Sequence, residues 1–306
     1  MNRFIVIGGD AAGMSAASKA RRENPDLQIT VLEKSSWSSY GACGLPYYIK
    51  GDIQDLQSLV AISPDKFREE RSIDLRLNHK VIKIKPNAKK VITATDNGDM
   101  EFDYDKLLIS TGARAIKPNI AGVNSSGVFT LHDMDSGRNI KEYLQKSLPE
   151  SVLIVGGGYI GMEMAEAFHA NGLKVHIVEL LPHVLDSFGE EIATVVENHL
   201  KKYVQIHLGK YVNTITETSP GKLSVHIIDK KQEDYEEYIA TDMVLLATGI
   251  VPEVTLAKRQ GFHWEKLGQL QLMSMDKQIF QVFMLQVIVQ KQNTLLPGNL
   301  FIYHWL

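Results

Sequence analysis

Apolar and polar positions along the chain fall into two successive patterns of the same kind. Arg3 to Ile7 (RFIVI) is a short apolar run ending in Gly8 and Gly9, which predicts a buried strand closed by a tight turn. Ala11 to Glu23 is rich in alanine and small residues and predicts a helix ending near Asn24–Pro25. Gln28 to Leu32 (QITVL) is a second apolar strand, closed by Glu33. Strand, helix and strand at this spacing form a βαβ unit and so a parallel sheet. From Ile73 to Thr95 apolar and polar residues alternate, as in VIKIK, which predicts antiparallel strands. Leu107 to Ile109 is a further buried strand, running into Ser110-Thr111-Gly112-Ala113.

The pattern then repeats. Ser151 to Val155 (SVLIV) is a strand, Gly156-Gly157-Gly158 a turn and Tyr159 to Ala170 a helix. Lys174 to Val178 is a strand closed by Glu179, and Met243 to Leu246 is one more, followed by Ala247-Thr248-Gly249. Duplication of one module over some 250 residues implies two nucleotide-binding domains.

Composition narrows the class. The chain has 306 residues, 44% of them hydrophobic and 23% charged, the balance of a soluble globular protein. A net charge of −3 offers no basic field for nucleic acid. No apolar stretch approaches the ~20 residues of a membrane span, and Phe4 to Ile7 is too short for a signal peptide. The single cysteine, Cys43, excludes an internal disulfide and a cysteine-based zinc site, so no metal is expected. These features predict a cytoplasmic protein.

Gly156-Gly157-Gly158-Tyr159-Ile160-Gly161 matches G-x-G-x-x-G between a strand and a helix, with Glu179 18 residues beyond Gly161. Gly156 permits the tight turn, Gly158 lets a pyrophosphate approach the backbone, and Gly161 lets helix and strand pack closely. The diphosphate sits on the helix N-terminus, where free amides favour anions. A carboxylate at Glu179 suits both ribose hydroxyls and repels a 2′-phosphate, which favours NAD(H). In the first copy, Gly8-Gly9-Asp10-Ala11-Ala12-Gly13, an aspartate takes the place of the second glycine, yet Glu33 falls 20 residues after Gly13 at the ribose position. Two dinucleotides in one chain suit hydride transfer to an acceptor such as FAD. Cys43 lies in SYGACGLPYY, a loop entering a helix; a thiol at such a start is a candidate nucleophile, and a buried structural cysteine is the alternative.

The order GGDAAGMSAA, SYGACGLPYY, LLISTGAR, VGGGYIGMEMAE, VLLATGIVP resembles the FAD-dependent pyridine nucleotide-disulfide oxidoreductases over roughly residues 1–268. It is most similar to their single-cysteine branch, the coenzyme A-disulfide reductases, with NADH oxidases and persulfide reductases nearby. The two-cysteine branch carries C-x4-C, whereas Tyr48 holds the second position here. The resemblance implies an α/β fold of two Rossmann-like domains, for FAD and NAD(P), each a parallel sheet with a β-meander. Residues 1–114 and 246–268 would form the FAD domain and 115–245 the NAD(P) domain. FAD and NADH or NADPH are the implied cofactors, held at Gly8, Gly9, Ala12, Gly13, Glu33, Lys34, Thr111, Gly112 and Ala113, at Gly156, Gly158, Tyr159, Ile160, Gly161, Glu163 and Glu179, and at Thr248 and Gly249.

The implied reaction reduces coenzyme A disulfide, or a related small thiol disulfide or persulfide, through Cys43. Ser15, Lys19 and Arg22 share one face of the first helix and, with Ser39 and Arg71, resemble the family's coenzyme A contacts; a solvated helix face has the same pattern. Ala42 departs from members with a polar residue before the cysteine. Tyr159 resembles an aromatic gate over the nicotinamide and Glu163 a carboxylate near its carboxamide, though both also suit an ordinary helix. An NADH oxidase or peroxidase cycling Cys43 through a sulfenic acid is the alternative enzyme.

After Gly268 the chain changes character: one glycine remains, Asp276 is the last acidic residue, and seven glutamines fall between Gln269 and Gln292. Dropping the first two bases of the Gln269 codon permits a translation containing TNIPGIYAAGDCAE, which holds the family's T-x-x-P-x-I-Y-A-x-G-D flavin segment in order. Residues 269–306 are therefore expected to be a frameshifted tail. The family's interface domain, which forms its homodimer, would then be absent, and the chain could be an inactive remnant that binds nucleotide only. An intact reading frame with different codons there would refute this.

Overall fold

The computed structural model describes residues 2–232 and 236–259. The first sheet is built from β1 (Arg3–Ile7), β2 (Gln28–Leu32), β3 (Asp74–Arg76) and β7 (Lys106–Ile109), with α1 (Ala11–Glu23) crossing from β1 to β2. Its order is β3-β2-β1-β7, parallel throughout. Between β3 and β7 run β4 (Lys80–Lys85), β5 (Lys90–Thr95) and β6 (Gly98–Asp103), an antiparallel meander. The alternation read from Ile73 to Thr95 therefore splits. The meander is antiparallel as expected, but Asp74–Arg76 pairs parallel to β2 and belongs to the main sheet.

Each face of this sheet has its own cover. Val6, Val31 and Leu108 pack with Met14 and Ala17 of α1 and with Phe67. Ile5, Ile7, Leu32 and Ile109 face Ile84, Val91 and Tyr104 of the meander. Burial on both faces is why these strands are apolar runs rather than alternating ones.

A short strand β8 (Ala113–Ala115) leads to the second unit. This comprises β9 (Val128–Thr130), β10 (Ser151–Val155), β11 (Lys174–Glu179), β12 (Val204–Leu208) and β16 (Met243–Leu246), in the parallel order β12-β11-β10-β16-β9. The antiparallel strands β13 (Lys210–Ser219), β14 (Lys222–Asp229) and β15 (Glu236–Thr241) cover one face. Helices cover the other, where Met164 and Phe168 from Tyr159–Ala170 and Ile140 and Leu144 from Met134–Ser147 join Ile154 and Ile177. Leu45, Ile49 and Leu56, from the first half of the chain, are buried in this same core.

The two units are also clasped through their Thr-Gly turns. β17 (Ile250–Pro252) pairs antiparallel with β8. Thr111 Oγ1 donates to the Glu253 carbonyl at 2.6 Å, and Thr248 Oγ1 donates to the Ile116 carbonyl at 2.9 Å. Each threonine thus reaches the residue five places beyond the other, a reciprocal arrangement that follows from the duplication. Among the described residues no helix is long and apolar enough to cross a membrane. The expected frameshift at Gln269 and the tail 269–306 lie outside the described residues, as does the end of segment 246–268.

Candidate active site

Both glycine turns sit at the carboxyl ends of central strands, the edge at which open α/β sheets bind their ligands. In the second, Gly156 has φ +109°, and a Cβ there would lie 2.4 Å from the Ala247 carbonyl oxygen. A Cβ at Gly161 would lie 2.1 Å from the Gly156 carbonyl oxygen, so the helix packs on the turn with no room for a side chain. Gly158 differs: a Cβ there would meet nothing within 4 Å. That open space, at the helix N-terminus and with no side-chain cap, fits a pyrophosphate. Glu179 Oε2 accepts the Gly157 amide at 2.5 Å and Oε1 the Leu181 amide at 2.8 Å, which sets the carboxylate beside the turn. Ile160 is half-buried against the core, and Glu163 is exposed, its carboxyl raised by desolvation and by Glu166. Tyr159 is exposed and meets Phe188 edge-on, ring centroids 5.5 Å apart. Phe188 was not singled out from sequence; only a loop aromatic signalled it.

The first turn repeats this construction. Gly8 has φ +109°, and a Cβ at Gly13 would lie 1.8 Å from the Gly8 carbonyl oxygen. Buried Glu33 accepts the Gly9 amide at 2.7 Å, and its other oxygen accepts the Ser35 amide and hydroxyl at 2.8 Å each. Lys34 is exposed next to it, and Ala12 is half-buried on α1. Ser110 Oγ donates to the Ile7 carbonyl at 2.9 Å, which holds the Thr111-Gly112-Ala113 segment against the turn. Each turn therefore presents its own acceptor carboxylate and helix N-terminus, the arrangement a dinucleotide requires.

Cys43 is an exposed free thiol on a 3-10 turn, Ala42–Gly44, which leads into α2 (Leu45–Lys50). The expected helix start is thus a tighter turn just ahead of the helix. Gly41 donates its amide to the Leu59 carbonyl at 2.9 Å. At the far end of α2, the Ile49 carbonyl accepts Lys141 Nζ at 3.0 Å and Asn171 Nδ2 at 3.2 Å, both from the second unit. Lys50 adds an ion pair to Glu166 at 3.0 Å. The element carrying the thiol is therefore rooted in the helical layer of the second unit while its loop begins at the first.

Of the residues read as coenzyme A contacts, Ser15, Lys19 and Arg22 are exposed on one face of α1, as their spacing predicts. Lys19 pairs with Glu23 at 2.5 Å. Arg71 is engaged elsewhere: it donates to Ser18 Oγ at 3.1 Å and lies over the Phe67 ring. Ser39 is half-buried at φ +50°, donating its amide to the Gly9 carbonyl at 3.1 Å. Among the described residues no group of three or more His, Cys, Asp or Glu is placed to hold a metal ion.

Comparison with known proteins finds relatives of this chain. The family model described as pyridine nucleotide-disulphide oxidoreductase matches residues 2–280. The chain is 38% identical over 267 residues to an NAD(P)H sulfur oxidoreductase (CoA-dependent) of Pyrococcus abyssi, covering 87% of this chain and 57% of that protein. It is 34% identical over 262 residues to an NADH oxidase of Methanocaldococcus jannaschii, covering 85% of this chain and 57% of that protein. The crystal structure of reduced Bacillus anthracis CoADR-RHD superposes with a TM-score of 0.80 at 31% identity, covering 87% of this chain and 47% of that one. The chain thus spans a little over half the length of the relatives it matches.

Proposed function

The chain belongs to the pyridine nucleotide-disulphide oxidoreductase family, and from that premise we propose that it is an FAD-dependent NAD(P)H:disulfide reductase acting on coenzyme A disulfide or a related small disulfide or persulfide. The observation that carries this reading is the seat of Cys43. An exposed thiol stands on a turn tied to one glycine-turn crevice and anchored to the helices of the other. Bound FAD and NAD(P)H would supply the two electrons that the thiol chemistry consumes.

The residues divide the work. Glu33 and the α1 N-terminus would hold the FAD ribose and diphosphate, with the Thr111-Gly112-Ala113 and Thr248-Gly249 turns beside them. Glu179 and the Gly158 space would hold the nicotinamide cofactor, and a carboxylate there favours two free ribose hydroxyls over a 2′-phosphate. Tyr159, backed by Phe188, would cover the nicotinamide, with Glu163 near its carboxamide. The Cys43 thiolate attacks one sulfur of RS–SR, forming a mixed disulfide and releasing RS⁻, which takes a proton. Two electrons and a proton then release the second thiol and restore Cys43. Ser15, Lys19 and Arg22 form a polar and basic face suited to a phosphorylated thiol. Substrate of this size and a protein of this family point to the cytoplasm as the site of action.

The test is NADH-driven formation of free thiol from coenzyme A disulfide by the FAD-loaded chain. Wild type should produce it and Cys43→Ser should not; equal rates would overturn the proposal. A second reading, an NADH oxidase in which the same thiol cycles through a sulfenic acid, is supported by the Methanocaldococcus relative. Oxygen uptake with NADH alone, exceeding disulfide-dependent turnover, would select it.

A further inference from the structure

Asp10 stands where the second glycine of the first turn would be, at the N-cap of α1. An aspartate there ordinarily accepts an amide of the helix's first turn. Asp10 makes no such bond. Its Oδ1 instead accepts the Tyr40 amide at 3.1 Å, while the carbonyl of Gly9 accepts the Ser39 amide at 3.1 Å. Two consecutive acceptors of the glycine turn thus hold two consecutive amides of the loop that reaches Cys43 three residues later. With no side-chain cap spent on the helix, the aspartate does not close the N-terminus of α1 to an anion. The carboxyl is buried enough that desolvation lifts it, against the pull of the Tyr40 and Ala11 amides, so the site tolerates a costly group.

We propose that Asp10 is a positioning residue for Cys43: by accepting the Tyr40 amide it fixes the thiol-bearing loop onto the turn that forms the first dinucleotide crevice. The interest of this bond rests on the reading of Cys43 as the reacting thiol, but the bond itself does not. Ser39 sits in the left-handed region at φ +50°, a conformation that serine does not favour and that the bonds on its own amide and on the Tyr40 amide hold in place. Ala61 donates to the Ser39 carbonyl at 2.8 Å, so the loop is held from its outer side as well. Loss of the Asp10 bond therefore loosens the loop without releasing it.

Asp10→Ala and Asp10→Gly remove the acceptor, whereas Asp10→Asn retains an Oδ1. In the full chain, hydrogen exchange should show the Tyr40 amide exchanging about tenfold faster in D10A and D10G, for a bond of about 1.4 kcal/mol or more. Amides of Ser151–Val155 should be unchanged. Because Cys43 is the only cysteine, iodoacetamide labelling read by mass reports its exposure alone. Its rate should rise about threefold or more in D10A and D10G and stay within about twofold of wild type in D10N. Wild-type exchange and labelling in D10A and D10G would overturn the proposal, as would a D10N that matches D10A. FAD titration of the same proteins is a separate arm: failure of wild type to bind FAD refutes the reductase reading while leaving the exchange result to decide the role of Asp10.

Discussion

Gly158 and Gly161 lie three residues apart in one turn, and alanine at each should fail in opposite ways. Gly158 has φ −80° and ψ −169°, a conformation open to alanine, and its added Cβ meets nothing within 4 Å. Loss of unfolded-state freedom favours alanine by about 0.4–1 kcal/mol, but Gly158 is the helix N-cap, where alanine is disfavoured by a similar amount, so G158A should keep about the wild-type stability. The same Cβ occupies the space a diphosphate needs beside the backbone, so the NADH Kd should rise by at least about tenfold, or roughly 1.4 kcal/mol. At Gly161 the Cβ would stand 2.1 Å from the Gly156 carbonyl oxygen, a backbone atom that no rotamer change can move. Alanine gains about 1 kcal/mol of helix propensity over glycine. Against this stands overpacking of about 1–3 kcal/mol or more, because the helix must shift by roughly 1 Å. The net expectation for G161A is a loss of up to about 2 kcal/mol. Urea unfolding monitored by circular dichroism gives the stability, and quenching of protein fluorescence by NADH gives the affinity. G158A binding NADH as wild type does, or G161A keeping the wild-type midpoint, would refute the reasoning.

Glu179→Ala removes the carboxylate that accepts the Gly157 and Leu181 amides. NADH affinity should fall about tenfold while NADPH affinity falls less, narrowing the ratio of the two dissociation constants, since lost charge-assisted bonds are worth about 1.5–3 kcal/mol. Asp242 is a buried carboxylate that accepts the Glu150 and Ser151 amides at 2.9 and 3.0 Å and pairs with Lys222. Asp242→Ala should cost about 2–4 kcal/mol in urea unfolding, because it strands those donors. Burial pushes this carboxyl up, but Lys222, the Glu150 amide and Ser151 more than offset it and hold it below its ordinary value of 3.8. Its stabilisation is therefore fully present above that value and is lost as pH falls through the lower folded value; the acid limb of stability should flatten in D242A.

The two strand–turn–helix–strand units, their closing carboxylates and the loop that carries Cys43 were legible in the sequence, because each is encoded within a few residues. Continuous apolar runs report burial on both faces, and a glycine three residues before another reports a turn that a helix must touch. What the linear pattern could not carry was which distant groups meet. Asp74–Arg76 reads as part of an alternating hairpin but joins β2 in parallel, since a three-residue strand has too little period to declare its partner. Thr111 finds the carbonyl of Glu253, 142 residues on, and no local signal marks that pairing. Asp10 reads as a flaw in a glycine motif, yet the fold gives its carboxylate the Tyr40 amide and no side-chain cap on α1. Local backbone geometry follows from neighbouring side chains, so the two units are written in the linear order of the chain; the bonds that hold the loop of Cys43 against both exist only once the units have folded together, and only the tertiary structure decides them.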